Sequence, residues 1–444
     1  MGRKKTMPLG LLGLLTILVI LFLILSKKAS TLTCLIVVPI LACIVAGHAD
    51  KIGTYSVDGM KSVVATGVMF IFAVLFFTTM SDAGAFDPIV KGILKVAKND
   101  PVKICVGTVI LTCVTHLDGS GATTFLITIP ALLPLYKKLG MHTWILTTLC
   151  ALSAGTMNML PWGGPTIRAI SALHSSLGQI FTPMMVPMMC GLLSVFAIAV
   201  YFGKKEKKRL ALEAPAGDIS KEEAKAVQGL SSGSSDLARP KLFAFNILLI
   251  IVTVAVMVSS LLPPAPTFMI ALVIAMVVNY PDLKLQSKII NSHAEAALMM
   301  ASILFAAGSF IGIMRGSGML DAMATGLVNL IPQSLGSKIP LIIGLIAMPA
   351  SLLFDPDSYY FGVMPVLASA VQKIGLNPAL VARASIAGQM TIGFPLSPLT
   401  PATFLLIGLG DIDLGEHQKR TFPWAYAVSL VIILAAVITG AITL

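Results

Sequence analysis

The sequence contains few charged residues. Asp, Glu, Lys and Arg make up 11% of its 444 residues, whereas a soluble globular chain carries about a quarter. Hydrophobic residues make up 56%, and the mean hydropathy is +0.92. This composition excludes an ordinary soluble domain and predicts an all-α polytopic membrane protein. The net charge of +11 therefore indicates the positive-inside bias of membrane proteins rather than a nucleic-acid partner.

Signatures of catalysis and of resident metals are absent as well. The sequence has no HExxH motif, no P-loop and no nucleophile elbow, so it does not predict an enzyme. Its six cysteines all lie in apolar segments without the pairwise spacing of a metal site. They are interpreted as small packing residues rather than disulfides or metal ligands, and no covalently bound cofactor is expected.

Two long apolar segments are interrupted by proline and glycine. The first is Ala154–Arg168, with the sequence AGTMNMLPWGGPTIR, and the second is Ala387–Thr403. Proline removes a backbone donor and glycine weakens helical preference, so a helix cannot run smoothly through either segment. Broken backbone at membrane depth is tolerated only where protein or a water-filled cavity satisfies its polar groups. Both breaks are therefore expected inside the protein, near the bilayer midplane.

Two pairs of short apolar arms each enclose a polar tip. The first pair, 101–115 and 122–136, encloses His116–Gly121, and the second pair encloses Phe354–Ser358. At 1.5 Å per residue each arm of the first pair is about 22 Å long. Crossing the bilayer core requires about 30 Å. The arms are therefore predicted to form re-entrant hairpins whose tips stop near the middle of the membrane.

The second half of the chain repeats the landmarks of the first. Asp118 corresponds to Asp355, and Thr166 corresponds to Thr400. Each half is predicted to have five transmembrane helices, one of them broken, plus a re-entrant hairpin. An odd number of crossings puts the halves in opposite orientations, which is the inverted-repeat plan of secondary transporters. The predicted divisions are scaffold parts at 1–100 and 241–335, transport parts with hairpin and broken helix at 101–202 and 336–444, and a flexible linker at 203–240. Interfacial helices are expected at 83–99 and 318–330.

The basic residues predict the orientation of the chain. If the 203–240 linker is cytoplasmic, 21 of the 31 Lys and Arg residues fall on that side and eight fall outside, while Arg168 and Arg383 are expected inside helices. The N-terminal Arg3-Lys4-Lys5 run then lies outside, against the rule. The summed bias nevertheless favours a cytoplasmic linker.

The two helix interruptions and the two hairpin tips, together called the four breaks, contain candidate ligands for an anion. A restarting helix presents free N–H groups and a positive dipole end, which suit a negative charge. Arg168 adds a guanidinium whose fork matches a carboxylate. The alternatives are simple helix capping for the hydroxyls and a structural pair with an aspartate for Arg168. The candidate substrate-binding residues are Ser120, Gly121, Thr123, Thr124, Asn158, Gly163, Gly164, Thr166, Arg168, Ser358, Ser397, Thr400 and Thr403.

The hairpin tips contain a second set of candidates, His116, Asp118, Asp355 and Asp357. Clustered acids at membrane depth could hold a hard divalent cation through oxygen or carry a coupling proton. They could also simply cap helices. The Gly308/Gly312/Gly316 spacing, by contrast, favours helix packing over a site.

Several motifs resemble one known family, the citrate–metal:proton symporters (CitMHS) of the ion-transporter superfamily. The motifs are HLDGSGATT at His116–Thr124, MNMLPWGGPT at Met157–Thr166, YFGVMP at Tyr360–Pro365, FPLSPLTPAT at Phe394–Thr403 and DLGEHQ at Asp413–Gln418. The family pattern commonly has Thr-Ala-Arg after the glycine pair, where this chain has Thr166-Ile167-Arg168. The resemblance covers nearly the whole chain apart from the linker.

The resemblance implies proton-driven uptake of citrate complexed with a divalent metal across a bacterial plasma membrane. It also implies a homodimer in lipid, in which a hairpin-bearing transport domain moves against a scaffold in an elevator-type mechanism. The residues alone predict only a secondary transporter of a small anion. A sodium-coupled di- or tricarboxylate transporter, an ion or metalloid antiporter and a channel remain alternatives, and the preferred metal is left open.

Overall fold

The computed structural model describes residues 8–26, 28–85, 88, 92, 100–213, 237–259, 261–330 and 333–443, and in these ranges the secondary structure is helical without strands. The predicted interfacial helix at 83–99 falls mostly outside the described residues. Its predicted counterpart is a helix at Met319–Leu330.

The helices of the first half follow the predicted apolar segments. They are α1 Leu9–Leu25, α2 Thr31–Val45, α3 Ile52–Asp82, α4 Pro101–Thr115, α5 Gly121–Lys138, α6 Thr143–Met157, α7 Gly164–Leu173, the short α8 Leu177–Ile180 and α9 Met185–Glu213. The helices of the second half are α10 Phe243–Val258, α11 Pro264–Asn279, α12 Leu283–Gly316, α13 Met319–Leu330, α14 Ile339–Ala350, α15 Met364–Lys373, α16 Ala379–Ile386, α17 Pro401–Gly410 and α18 Leu414–Ile438.

Among the described residues, six helical segments are long and apolar enough to cross a membrane. They are Ala49–Asp82, Pro101–Asp118, Leu177–Leu212, Pro240–Met257, Ala297–Gly316 and Leu414–Ile438. The second of these is α4 with the 3₁₀ turn that follows it. This segment is long enough to cross a membrane, so the re-entrant form of the first hairpin stays a prediction.

The long helices α3 and α12 cross with their backbones in close contact. A Cβ atom added to Gly312 would meet the Tyr55 carbonyl oxygen, and one added to Gly316 would meet the Tyr55 ring. Gly59 and Gly308 approach each other in the same crossing. Glycine permits this approach because it has no side chain to keep the helices apart. The interpretation of Gly308, Gly312 and Gly316 as packing residues is thus confirmed.

The other helices pack in matching pairs in the two halves. Helix α4 contacts α9, and α14, which holds the same place in the second half, contacts α18. In the same way α5 contacts α17, and α15 contacts α7. The first element of each hairpin therefore lies against the last helix of its own half, and the second arm lies against the broken helix of the other half.

Helix α9 continues into the segment that was predicted to be a flexible linker. Residues 203–213 are helical, and residues 214–236 lie outside the described part of the chain. Lys207 Nζ donates to Asp100 Oδ2 at 3.1 Å, and this bond holds the pKa of the Asp100 carboxyl below its usual value. The linker boundary at 203 was therefore wrong, because contacts with the start of α4 stabilise the extra helical turns.

Candidate functional site

The first hairpin tip is a tight turn held by its own side chains. Residues His116–Asp118 form a 3₁₀ turn, and Gly119 has φ = 73°, a conformation that glycine adopts at low cost. Asp118 Oδ1 accepts the Ser120 N–H at 2.8 Å. Ser120 Oγ accepts the Thr123 N–H at 3.3 Å, so Ser120 caps α5.

Two polar atoms of this tip have no hydrogen-bond partner. His116 Nδ1 lies 2.8 Å from Thr124 Oγ1, which leaves Nε2 on the other side of the ring. Both His116 Nε2 and Asp118 Oδ2 are buried and unpartnered. The residues are 1% and 7% exposed. Buried polar atoms are normally hydrogen-bonded, so this pair requires an explanation.

The first helix interruption separates α6 from α7. Thr166 Oγ1 donates to the Met159 carbonyl at 2.9 Å and so closes the broken segment on itself. A Cβ atom at Gly163 would overlap the Asn158 carbonyl oxygen, which explains why this position is glycine. Arg168 lies one turn into α7 and is 7% exposed.

The second hairpin tip uses an aspartate as a complete cap. Asp355 Oδ1 accepts the N–H groups of Asp357 at 2.9 Å and Ser358 at 3.0 Å. Its Oδ2 accepts the Ser358 hydroxyl. A single π-helical turn, Ser358–Val363, then leads into α15. Both oxygens of Asp355 are therefore occupied by the turn.

Arg168 pairs with the other acid of this tip. Its Nε donates to Asp357 Oδ1 at 2.7 Å, and the two side chains are only 9% and 11% exposed. The pair joins α7 to the second hairpin, so the structural partner considered for Arg168 is present. Arg383, in α16, donates instead to the carbonyls of Gln179 and Ala441.

The second helix interruption, between α16 and α17, is organised around one carbonyl. The Phe394 oxygen accepts the hydroxyls of Thr400 at 2.7 Å and Thr403 at 2.8 Å. Ser397 Oγ accepts the Leu399 N–H at 3.2 Å. These hydroxyls thus satisfy the backbone of the break, which is the capping role considered for them.

The first tip contacts both interruptions. Trp162 Nε1 donates to the Leu117 carbonyl at 2.7 Å. The His116 ring stacks on Phe394, with centroids 6.0 Å apart, and a Cβ at Gly121 would meet the same Phe394 ring. The first tip therefore lies between the two broken helices.

Further bonds connect the interruptions to each other and to the second tip. Asn158 Nδ2 donates to the Met390 carbonyl at 2.8 Å, and Tyr360 OH donates to the Gln389 carbonyl at 2.8 Å. With the Arg168–Asp357 pair, these contacts connect all four breaks. Every break contributes predicted site residues to this one buried region. Whether each binds substrate stays a prediction.

Sequence reasoning assigned no role to two residues that hold the second interruption. His417 Nε2 lies 3.0 Å from the Pro395 carbonyl, and Gln418 Nε2 donates to the Leu396 carbonyl at 2.8 Å. Both belong to the DLGEHQ motif at the start of α18. The motif was visible in the sequence, but its contact with a break about twenty residues earlier depends on the tertiary fold.

The charges of the breaks are unbalanced. Asp118, Asp355, Asp357 and Arg168 are their charged residues, which gives a formal charge of −2 if all are ionised. Within the described part of the chain no group of three or more His, Cys, Asp or Glu residues could hold a metal ion.

Helices long and apolar enough to cross a membrane, together with buried polar breaks that contact one another, are the features of an integral membrane transporter. Two solved transporters share this fold. The YdaH transporter of Alcanivorax borkumensis is 15% identical with a TM-score of 0.59, and both chains are covered to 98%. MtrF of Neisseria gonorrhoeae, described as belonging to a class of antimetabolite efflux pumps, is 12% identical with a TM-score of 0.61, over 98% of this chain and 95% of that one.

The chain belongs to the citrate transporter family, CitMHS, whose model matches residues 5–388. A citrate transporter of Bacillus subtilis (strain 168) is 42% identical over 98% of this chain and all of that one. A Mg²⁺/citrate complex secondary transporter of the same organism is 40% identical over 98% of this chain and 99% of that one. The family consists of transporters, not enzymes, as the absence of catalytic motifs predicted.

Proposed function

We propose that this protein imports citrate as a complex with a divalent metal, coupled to protons, across a bacterial plasma membrane. The observation that carries the proposal is the buried region in which the four breaks meet, with its formal charge of −2. Fully ionised citrate bears three negative charges, and such a site would repel it at low dielectric. A bound divalent cation reduces that charge to one. The Mg²⁺/citrate transporter among the relatives supports the same substrate.

Each end of the complex has candidate partners in this region. The free N–H groups where helices restart, and Arg168, would hold citrate oxygens. At least one of the ionisable tip residues, His116, Asp118, Asp355 and Asp357, would contact the metal or the coupling proton. The metal is part of the cargo and takes some of its ligands from citrate itself. This division agrees with the absence, in the described residues, of a side-chain cluster able to hold a metal alone.

The transport cycle in this proposal is an elevator-type movement. The two halves form inverted repeats, and the two hairpins are re-entrant. The matched packing of α4 on α9 and of α14 on α18 supports this arrangement. The transport part carries both hairpins and both broken helices, and it slides along a scaffold that includes α3 and α11. Trp162, which stacks on Phe77 at 4.9 Å and meets Phe268 edge-on at 5.7 Å, lies at this sliding surface. In this proposal the protein is a homodimer, and its 203–240 segment is cytoplasmic.

The test is labelled citrate uptake into vesicles with an imposed pH gradient. Uptake is expected to require a divalent metal and to collapse when the gradient is dissipated. A panel of Mg²⁺, Ca²⁺ and Mn²⁺ would identify the preferred cation. Uptake that is unchanged by chelation of metals would overturn the complex as substrate. Uptake that follows Na⁺, and stops when choline replaces it at fixed pH, would favour a sodium-coupled carrier instead.

Replacement of Arg168 tests the anion end of the site. Arg168→Ala is expected to raise the citrate concentration for half-maximal uptake at saturating metal, because a guanidinium contact to carboxylate is lost. An unchanged half-maximal concentration would limit Arg168 to its pair with Asp357.

A further inference from the structure

The four ionisable groups at the hairpin tips are not equivalent. Asp355 uses both carboxylate oxygens within its own turn, where they accept two backbone N–H groups and the Ser358 hydroxyl. A carboxylate whose lone pairs point at three donors of its own chain has little capacity left for a ligand. Asp355 is therefore a structural cap.

Asp357 is committed in a different way. Its Oδ1 accepts a charged bond from Arg168 Nε at 2.7 Å in a setting that is about nine-tenths buried. A cation bound through the other oxygen of Asp357 would lie beside this guanidinium, whose positive charge would oppose it. The charge of Asp357 is balanced within the protein.

The first tip differs, because its two ionisable side chains each present an unused atom. His116 Nε2 and Asp118 Oδ2 are buried without partners, while the opposite atoms, His116 Nδ1 and Asp118 Oδ1, hold the turn in shape. We call these two unused atoms the open pair. An ionised carboxylate with no buried counter-charge is strongly disfavoured, so Asp118 needs a cation when it is charged.

The open pair also lies where a substrate enclosed by the four breaks would be. Leu117, between its two members, is bonded to Trp162 of the first interruption. The His116 ring lies on Phe394 of the second interruption. The turn is thus enclosed by the two helix restarts to which the anion end of the cargo was assigned.

We propose that Asp118 Oδ2 is the protein's own ligand to the divalent cation of the complex. His116 Nε2, the other atom of the open pair, is the weaker second partner, and the second tip contributes no metal ligand. This inference rests on the proposed function, and it assigns the metal contact to two of the four candidates at the tips. A carboxylate oxygen is the donor that a hard divalent cation accepts, and citrate supplies most of the remaining oxygens. The metal then bridges a negative cargo to a negative side chain.

The experiment compares Asp118→Asn with the matched control Asp355→Asn. Asn keeps the shape of the side chain and removes its charge. Uptake of labelled citrate is measured against Mg²⁺ concentration at fixed, saturating citrate, and the rates are normalised to the folded protein recovered by gel filtration. Asp118→Asn is expected to raise the half-maximal Mg²⁺ concentration by about tenfold or more. Asp355→Asn is expected to lower the yield or melting temperature and to leave the half-maximal Mg²⁺ concentration within about twofold of the wild type.

A second measurement covers a variant that folds but does not transport. In detergent, Mg²⁺ with citrate is expected to raise the melting temperatures of the wild type and of Asp355→Asn. At the same concentrations the melting temperature of Asp118→Asn is expected to rise much less. His116→Gln should show a smaller loss in the same direction.

Three outcomes would overturn the proposal. The first is an unchanged half-maximal Mg²⁺ concentration in Asp118→Asn, and the second is an equal shift of that concentration in Asp118→Asn and Asp355→Asn. The third is a loss of pH-gradient coupling in Asp118→Asn with a normal Mg²⁺ dependence, which would make Asp118 a proton carrier. Failure of the proposed function gives a different result, because wild-type uptake itself would then be indifferent to Mg²⁺, Ca²⁺ and Mn²⁺ alike.

Discussion

At the scale of single residues, the Arg168–Asp357 pair is a buried polar link between distant parts of the chain. Its members are 189 positions apart in sequence and are nearly enclosed. A buried ion pair contributes little net stability over an apolar replacement, but removal of one member leaves an uncompensated charge. The pair therefore makes the second hairpin and α7 dependent on each other.

A double-mutant cycle should reveal this dependence. Arg168→Ala and Asp357→Ala alone are each expected to destabilise the protein by about 3–5 kcal/mol. The double variant should lose much less than the sum, because no unpaired charge remains. Melting temperatures in detergent, followed by tryptophan fluorescence, provide the measurement. Strictly additive losses would contradict a direct pair.

Gly163 provides a second test at this scale. Gly163→Ala should destabilise the fold by about 1–3 kcal/mol and lower uptake, since the new Cβ would overlap the Asn158 carbonyl in the first interruption. Gly408→Ala in α17 is the control, because a Cβ there meets no atom within 4 Å. Equal stability and equal uptake of the two variants would contradict a close backbone contact at Gly163.

At the scale of elements, the end of α9 clamps the loop between α5 and α6. Glu206 is 3% exposed. Its carboxylate accepts the His142 N–H at 3.1 Å and an Arg209 N–H at 2.7 Å. Arg209 also donates to the Gly140 carbonyl. This clamp connects the last helix of the first half to the base of its hairpin and its broken helix.

Neutralising the clamp should loosen that base. Glu206→Gln is expected to destabilise the protein by about 2–3 kcal/mol, because hydrogen bonds to a charged, buried acceptor are among the stronger ones. Lys205→Ala, an exposed neighbour on the same helix, should change the melting temperature little. If residues 203–213 were flexible, as the sequence predicted, Glu206→Gln and Lys205→Ala would have the same melting temperature.

At the scale of the whole molecule, the α3–α12 crossing joins the two halves of the chain. Gly59 lies against Gly308 and Gly312 there, and Tyr55 covers the end of the contact. In a membrane such close backbone contact contributes much of helix association, because the lipid offers no hydrophobic driving force. The crossing is thus a central support of the fold.

Gly312→Ala tests this support. The added Cβ would meet the Tyr55 carbonyl, so the helices must separate, at an expected cost of about 1–3 kcal/mol. The yield of monodisperse protein and its melting temperature should both fall. Gly326→Ala in α13, where a Cβ meets nothing within 4 Å, should behave as wild type. A stable Gly312→Ala protein would argue against a tightly packed crossing.

The sequence by itself determined the membrane class, the order of the helices and the positions of the four breaks. These follow from local chemistry, because apolar runs must be helical in lipid and because proline and glycine interrupt them wherever they cluster. The tip residues His116 and Asp118, and Arg168 within an apolar segment, could also be found this way, since polar groups at membrane depth are costly.

Only the tertiary structure decided which polar groups satisfy one another. It paired Arg168 with Asp357, closed both oxygens of Asp355 and left the open pair of the first tip without partners. Hydrogen bonds act over about 3 Å between atoms that can be hundreds of residues apart in sequence. Such partnerships depend on how the helices pack, and no local pattern in the sequence encodes them.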